Sequence, residues 1–325
     1  MTFFSILCAL LIEQLKPLRA DNPIYTSIKA LAARMEVWFN AGHAHHGKLG
    51  WFLVIAALMV PTGLIYWLAY KISPFAALAW NILIVYLTLG FRHYSHYYSS
   101  IQLALSSGDD VSARSLLAEW TRQDTTGLDV GEISRIAVEK ALVTTHRNVF
   151  GVFFWFLMPV GPACAVMYRV AEYLARAWNE PAHMQNEAFG IFAARAFYWI
   201  DWIPARMTAV AFAIVGNFED AIYAWRNFAS RWQDEGVGII LAAGGGALGI
   251  RLGAPLQSAS NAASIDVNNL DGGALDSDNA PPGEEPTARA LQSTVGLVWR
   301  ALLLWMLMLL LFSMAVSITH AFSLL

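Results

Sequence analysis

The stretch "DWIPARMTA" (201–209) places an aspartate and an arginine around a proline at the entry to an apolar run. Charged side chains beside a membrane-like segment are costly and usually have a partner of opposite charge. The sequence predicts that Pro204 lies in the first turn of a helix, from which Arg206 emerges. Asp201 or Glu219 is its expected partner. The alternative is that Arg206 extends its charged end to the membrane interface without a specific partner.

A second stretch, "AAGGGALGIRLGAP" (242–255), clusters glycines before an arginine. Glycines let backbone amides approach an anion closely, and an arginine can hold a phosphate with two parallel hydrogen bonds. The stretch has neither the Gly-Lys-Ser/Thr ending of a Walker loop nor the context of a Rossmann fingerprint. It predicts an anion site, and the alternative is a flexible segment at the membrane border. The residues of the predicted site are Gly245, Gly246, Gly249 and Arg251.

Glu139 lies on a predicted helix that leads into an apolar segment, and His146 and Arg147 follow at its end. This cluster at a membrane border is a further candidate site. The alternative is a capped helix end with a solvated polar face.

Metal chemistry is not indicated. The histidines occur as "HAHH" (43–46) and as His93 and His96 at helical spacing, and no third or fourth ligand is apparent for either group. Cys8 and Cys164 lie in separate apolar runs, which predicts neither a disulfide nor a zinc site.

The composition is that of a membrane protein, because 57% of the 325 residues are hydrophobic and only 14% are charged. The apolar runs predict an all-α polytopic membrane bundle with about four to five spans, since a span needs about 20 apolar residues. Prolines and a glycine at 159–162 predict that one segment is kinked or broken, and "MTFFSILCALLIEQLKP" reads as a retained helix. The predicted spans lie near 51–72, 74–91, 149–168, 203–218 and 301–319.

The polar parts of the chain predict its organisation. A basic excess places the loop 17–50 in the cytoplasm. Residues 92–148 predict a cytoplasmic helical subdomain, with Asp129 and Glu132 at capping-box spacing. The acidic, Gly- and Ser-rich stretch 254–289 predicts a disordered linker before a C-terminal transmembrane helix at 290–325. The formal net charge of −3 does not indicate nucleic-acid binding.

Three collinear stretches resemble the CobD/CbiB family of cobalamin-biosynthesis membrane proteins and its relative AmpE, a modulator of β-lactamase induction. "DWIPARMTA" is similar to the family's Asn-Tyr-Ile-Pro-Ala-Arg-Leu-Thr-Ala signature, and "GALGIRLGAP" to its Gly-Ala-Leu-Gly-Val-Arg-Leu-Gly-Gly box. "GDDVSARSLLAEWTRQDTTGLD" resembles the segment with the family's Gly-Arg-Asp-Thr run. The resemblance covers about residues 90 to 255 and implies a multi-pass protein of the bacterial inner membrane.

The resemblance implies an adenosylcobinamide-phosphate synthase, which uses ATP and magnesium to join adenosylcobyric acid to an aminopropanol derivative through an amide bond. Glu139 and Asp201 would then be catalytic candidates, as metal ligands or as a general base. The chain departs from the family's carboxylate pattern, because Arg147 replaces an aspartate and an Asp-Asp pair is replaced by Phe197 and Tyr198. An arginine repels a divalent cation where an aspartate would bind it.

These departures favour an AmpE-like sensor or signalling modulator, for which no cofactor is predicted. Arg206, Asp201, Arg251 and Glu139 would then form one border cluster that holds an anionic small molecule or a lipid head group. The alternative is the ligase, with ATP, magnesium and a corrinoid as its ligands. The lipid bilayer is a partner in both cases, and homo-oligomerisation is left open.

Overall fold

The computed structural model describes residues 2–16, 22–39, 44–179, 187–253 and 283–322. Nearly all of them lie in helices: α1 (Thr2–Leu15), α2 (Pro23–Phe39), α3 (Ala44–Ile72), α4 (Pro74–Thr88), α5 (Phe91–Ser106), α6 (Asp110–Thr121), α7 (Val130–Thr145), α8 (Gly151–Phe156), α9 (Gly161–Ala177), α10 (Glu187–Val215), α11 (Phe218–Phe228), α12 (Glu235–Leu248) and α13 (Ala288–Phe322). A π-helical turn, His146–Phe150, joins α7 to α8, and a 3₁₀ turn, Ala229–Arg231, follows α11. The predicted all-α fold is confirmed.

Two of the described helices are long and apolar enough to cross a bilayer, namely Gly47–Ile72 within α3 and Ala288–Ala315 within α13. Both expose large apolar side chains, as a lipid-facing helix does; examples are Phe52, Trp67, Leu303 and Leu311. Helices α1, α4 and α12 are apolar but have only 14 or 15 residues. The remaining spans therefore stay a prediction.

The segment 149–168 is interrupted, as its prolines predict. Helix α8 ends at Phe156 and α9 begins at Gly161. Pro162 stands in the first turn of α9, where a missing N–H breaks no helical hydrogen bond. A Cβ atom on Gly161 would lie 2.8 Å from the Phe156 carbonyl oxygen, so only glycine allows this close return of the chain. The predicted break is confirmed.

The prediction that Pro204 begins a helix is wrong, because Pro204 lies inside the 29-residue helix α10. A proline cannot donate to the carbonyl four residues before it, which here is that of Ile200. The indole Nε1 of Trp155 donates to this carbonyl oxygen at 3.2 Å. A side-chain donor thus replaces the missing backbone donor, and the helix continues through the proline.

The chain divides into two compact units. The first, which we call the split unit, comprises residues 1–96, 145–204 and 305–325, and the second, the loop unit, comprises 97–144 and 205–304. In the split unit, α3 packs against α2, α4 and α9, and α1 packs against α4. The Tyr86 hydroxyl donates to the Lys16 carbonyl at 2.8 Å, and the Trp80 indole donates to the Thr62 carbonyl at 3.2 Å.

The loop unit contains the helices predicted between residues 92 and 148. The capping box is confirmed, because the Glu132 amide donates to the Asp129 side chain at 2.7 Å and Glu132 accepts from the Asp129 amide at 3.3 Å. These helices belong to the same compact unit as residues 205–304, and a cytoplasmic helical subdomain stays a prediction. The hydroxyl of buried Tyr98 donates to the Leu291 carbonyl at 2.8 Å, and burial raises the pKa of Tyr98. Helices α11 and α12 pack together in the same unit.

The predicted linker falls mostly outside the described residues, which omit 254–282. Its last residues have defined contacts. Ile250 and Glu284 form an isolated parallel β-bridge, in which Arg251 N donates to Glu284 O at 2.8 Å and Glu284 N donates to Gly249 O at 3.0 Å. The two ends of the 254–282 segment are therefore held together, and α13 begins at Ala288, before the predicted linker end at 289.

Candidate functional site

A buried polar network lies in the split unit at the opening motif. Asp201 Oδ1 accepts a hydrogen bond from the Tyr168 hydroxyl at 2.9 Å and lies 2.9 Å from His146 Nε2. An ionised carboxylate can only accept, so Nε2 carries the hydrogen in this pair. His146 and Tyr168 are fully buried, while 9% of the Asp201 side chain is exposed. Asp201 is therefore the member of the network that reaches the surface.

Local backbone features bring these residues together. His146 opens the π-helical turn His146–Phe150, and such turns occur often at functional sites because they reorient side chains within a helix. Gly151 follows directly, and a Cβ atom there would overlap the Tyr168 hydroxyl and ring. Glycine at this position is what allows Tyr168 on α9 to reach Asp201 on α10.

Arginines surround this network. The guanidinium of Arg147 lies 5.6 Å from the centroid of the Phe197 ring, which is within the range of a cation–π interaction. Arg169 donates to the Arg147 carbonyl at 3.4 Å and to Glu172 at 3.5 Å. Arg147 and Phe197 are two of the positions that depart from the family's carboxylate pattern, and the structure brings them into contact.

The glycines of "AAGGGALGIRLGAP" serve packing. Gly245 and Gly246 lie in the last turns of α12 and are buried. A Cβ atom on Gly246 would overlap the backbone of Asp220 at the start of α11, and one on Gly245 would lie 2.9 Å from the Ile250 carbonyl oxygen. The small residues therefore let α11 approach α12 closely. The flexible-segment alternative is wrong for these two glycines, because they form regular helix.

The turn after α12 uses its backbone amides for hydrogen bonds within the protein. Gly249 caps the helix in the left-handed conformation, with φ of +67°. Its amide donates to Gly246 O, and those of Ile250, Arg251 and Gly253 donate to Gly245 O, Glu284 O and Glu139 Oε1. These four amides do not form a phosphate cradle, so the predicted backbone mechanism does not hold here. Anion binding by Arg251 stays a prediction.

Glu139 holds this turn. Its Oε1 accepts from Gly253 N at 2.7 Å and from Arg135 NH1 at 3.2 Å. Gly253 has φ of +73°, and a Cβ atom there would overlap the Trp232 ring. The carboxylate that was predicted as a catalytic candidate thus has a structural role at this turn.

Arg206 pairs with a residue that the sequence did not indicate. Its NH2 donates to Glu235 Oε1 at 2.7 Å, whereas Asp201 and Glu219 were the expected partners. Glu235 is the first residue of α12, where a carboxylate also interacts favourably with the helix dipole. Arg251 is exposed and its NH2 donates to Gly283 O at 3.2 Å.

The four residues of the predicted border cluster do not belong to one unit. Asp201 lies in the split unit, and Arg206, Arg251 and Glu139 lie in the loop unit. The described residues contain no group of three or more histidine, cysteine, aspartate or glutamate side chains that could hold a metal ion. The predicted His43 and the side chains of His45, His46 and His93 are outside the described set.

Two residues at these sites were missed by the sequence reasoning. Tyr168 was read as the end of a span, and Glu235 was not singled out. Glu235 follows Asp234, whose side chain accepts from Gly236 N and Val237 N, so the "DE" pair carried a helix-start signal. No local pattern points to the hydrogen bond of Tyr168, because its partner Asp201 is 33 residues away.

The helical architecture and the two long apolar helices define an all-α membrane protein. The model of the CobD/CbiB protein family matches residues 7–266, and the chain therefore belongs to this family. The resemblance inferred from the three motifs is confirmed.

Several curated relatives are similar to the chain. The cobalamin biosynthesis protein CobD of Stutzerimonas stutzeri is 32% identical over 320 residues, which are 95% of this chain and 97% of the relative. CobD of Chromobacterium violaceum is 32% identical over 61% of this chain and 63% of its own length. CbiB of Salmonella typhimurium is 25% identical over 64% and 66%, respectively. No solved structure matches the chain.

These relatives change the balance between the two functional hypotheses. Their names refer to cobalamin biosynthesis, so they favour the ligase, which was the alternative. They give no support to the AmpE-like signalling role that the lost carboxylates favoured.

Proposed function

We propose that this protein is an amide-forming ligase of cobalamin biosynthesis in the bacterial inner membrane, with several spans. Its substrates would be a corrinoid carboxylic acid, an aminopropanol derivative and ATP. The observation that carries the proposal is the 32% identity to a cobalamin biosynthesis protein over 95% of the chain. A match that covers almost the entire length of both proteins includes both units.

An amide ligase must accept a proton, because an ammonium group has no lone pair with which to attack a carboxyl carbon. The Asp201 carboxylate is suited to this task, because it is the member of the pair that reaches the surface and His146 holds it in place. Tyr168 donates to the same carboxylate oxygen and fixes its direction. In the proposed reaction, the Asp201 carboxylate takes up the proton that the amine releases.

The residues present do not fit a magnesium ion held by the protein. The described residues show no carboxylate cluster, and Asp201 and Glu139 each already make two contacts to protein groups. ATP, when bound, supplies the phosphoryl group that activates the carboxylate, and arginines of this chain are the groups suited to hold its charge.

Complementation tests the proposal. The gene is introduced into a bacterial strain that lacks its own ligase and needs corrinoid synthesis for growth. We expect growth with the wild-type chain and no growth with Asp201→Ala. Asp109→Asn, at a helix cap in the loop unit, serves as a control that should grow. Absence of growth with a wild-type chain that is inserted in the membrane would contradict the proposal.

A biochemical assay gives the same answer without growth. The full chain in nanodiscs is incubated with adenosylcobyric acid, aminopropanol phosphate, ATP and magnesium, and the amide product is detected by mass spectrometry. Product should depend on both organic substrates and on ATP. ATP hydrolysis without amide formation would count against the assignment.

A further inference from the structure

Arg169, on α9, has a poorly satisfied guanidinium. Its Nη1 atom makes two long contacts, 3.4 Å to the Arg147 carbonyl oxygen and 3.5 Å to Glu172 Oε2. Strong charged hydrogen bonds measure about 2.7–2.9 Å. Its Nε atom is buried and has no hydrogen-bond acceptor among the described residues. Only 18% of the side chain is exposed. A buried N–H group without an acceptor is rare and points to a further binding partner.

The Glu172 carboxylate beside Arg169 is shared with a second arginine. Glu172 lies 3.5 Å from Arg169 and 3.6 Å from Arg176, and these three residues occupy positions i, i+3 and i+7 on one helix face. Two guanidinium groups thus share one carboxylate, and neither contact is short. This face of α9 carries a net positive charge.

Neutral groups supply further contacts of Arg169. Arg147 belongs to the π-helical turn, and its carbonyl is one of the two acceptors of Arg169. Its guanidinium lies over the Phe197 ring, which supports the cation from one side. Tyr25 on α2 also contacts Arg169 and can donate its hydroxyl hydrogen to the Leu87 carbonyl at 3.3 Å. The Arg147 carbonyl and the Tyr25 hydroxyl are neutral groups, so Glu172 is the carboxylate that faces Arg169 directly.

We propose that Arg169 forms an anion-binding site for a phosphoryl group. A guanidinium has five N–H donors in a planar fork, and this geometry matches phosphate oxygens. The phosphoryl group can come from a soluble phosphate compound or from a lipid head group. The soluble case rests on the proposed ligase function, in which a phosphorylated substrate is used, while the site itself does not depend on that function.

Arg176→Gln supplies a matched control. Arg176 shares Glu172 with Arg169, but 67% of its side chain is exposed. The full chain is placed in nanodiscs of zwitterionic phosphatidylcholine, and inorganic pyrophosphate binding is measured by calorimetry. We expect Arg169→Gln to weaken binding about tenfold or more, and Arg176→Gln to change it less than about twofold. Arg169→Lys keeps the charge, loses the fork and should give an intermediate affinity.

A second arm separates the two sources of the phosphoryl group. The same variants are purified from membranes that contain phosphatidylglycerol, and native mass spectrometry records the retained lipid. If a head group occupies the site, the wild type and Arg176→Gln retain phosphatidylglycerol and Arg169→Gln loses it. The proposal is overturned if Arg169→Gln matches Arg176→Gln in both arms. If Arg169→Gln does not fold, the comparison of Arg169→Lys with Arg176→Gln decides in the same way.

The outcome is independent of the ligase test, because both arms measure binding and neither measures turnover. If the protein forms no amide but still binds pyrophosphate through Arg169, the proposed ligase function is contradicted and the proposed anion site is supported. If the protein forms the amide but Arg169→Gln does not alter binding, the ligase function is supported and the anion site is contradicted.

Discussion

The carboxylate of Glu139 accepts a hydrogen bond from the backbone amide of Gly253 at 2.7 Å, although 114 residues separate the two in the chain. This bond ties α7 to the turn that carries Arg251. The turn is also fixed by the β-bridge to Glu284 and by the left-handed cap at Gly249. The turn after α12 is thus held from a helix that is distant in the sequence.

Substitution of Glu139 tests this relationship. Glu139→Ala leaves the Gly253 amide without its acceptor and should lower the free energy of unfolding by about 1–3 kcal/mol. Glu139→Gln keeps a carbonyl oxygen and should recover most of that loss. Arg135→Ala removes only the pair within α7 and should cost about 0.5 kcal/mol or less. Thermal unfolding in detergent measures the stability of the three variants. Equal losses of stability for Glu139→Ala and Arg135→Ala would contradict the role of Glu139 in holding the turn.

The contact between Trp155 and the Ile200 carbonyl explains how α10 passes through Pro204. Trp155→Phe removes the donor and should destabilise the protein by about 1–3 kcal/mol. In a Pro204→Ala background the new backbone amide can donate to the same carbonyl, so the cost of Trp155→Phe should fall. A double-mutant cycle by thermal unfolding measures this coupling. Additive costs would show that the indole does not replace the missing amide.

Asp201 is expected to be essential for both the network and the reaction. Asp201→Ala removes the shared acceptor of two fully buried side chains, and we expect a loss of about 3 kcal/mol of stability. Tyr168→Phe removes one hydrogen bond and should cost about 1 kcal/mol. Asp201→Asn keeps an oxygen but not the charge, so it should fold well and form amide product slowly. Full amide formation by Asp201→Asn would exclude a proton-accepting role for the carboxylate.

The pair Arg206 and Glu235 gives a test of the arginine in the opening motif. Arg206→Ala should abolish function while the protein remains inserted. Because nearly half of Glu235 is exposed, the ion pair itself should contribute no more than about 1 kcal/mol to stability. The exchange Arg206→Glu with Glu235→Arg should restore stability but not amide formation. An active Arg206→Ala variant would leave the arginine as an interfacial anchor.

Close packing of α11 and α12 predicts a sharp difference between two glycines. Gly246→Ala places a methyl group against the Asp220 backbone and should cost about 1–3 kcal/mol. Gly296→Ala, on α13, meets no atom within 4 Å and should leave stability unchanged or raise it slightly. Thermal unfolding of both variants provides the comparison. Equal effects would show that helix contact does not require a glycine at position 246.

Much of the architecture followed from local patterns. The long apolar runs predicted α3 and α13, the prolines and glycine at 159–162 predicted the break before α9, and the capping box predicted the start of α7. These features depend on residues that are close in sequence, because helix formation and termination are set by neighbouring side chains and backbone amides. The family also followed from short collinear motifs.

The candidate sites depended on contacts that no local pattern contains. The local sequence around Pro204 predicts a helix start. The helix continues through Pro204 because the Trp155 indole donates to the Ile200 carbonyl, and these two residues are 45 positions apart in the chain. The choice of Glu235 as the partner of Arg206 and of Gly253 as the partner of Glu139 has the same origin. The sequence by itself determined which segments are helical, apolar and related to known proteins. The tertiary structure decided which polar groups meet, because hydrogen bonds and ion pairs depend on distances of a few ångströms between residues far apart in the chain.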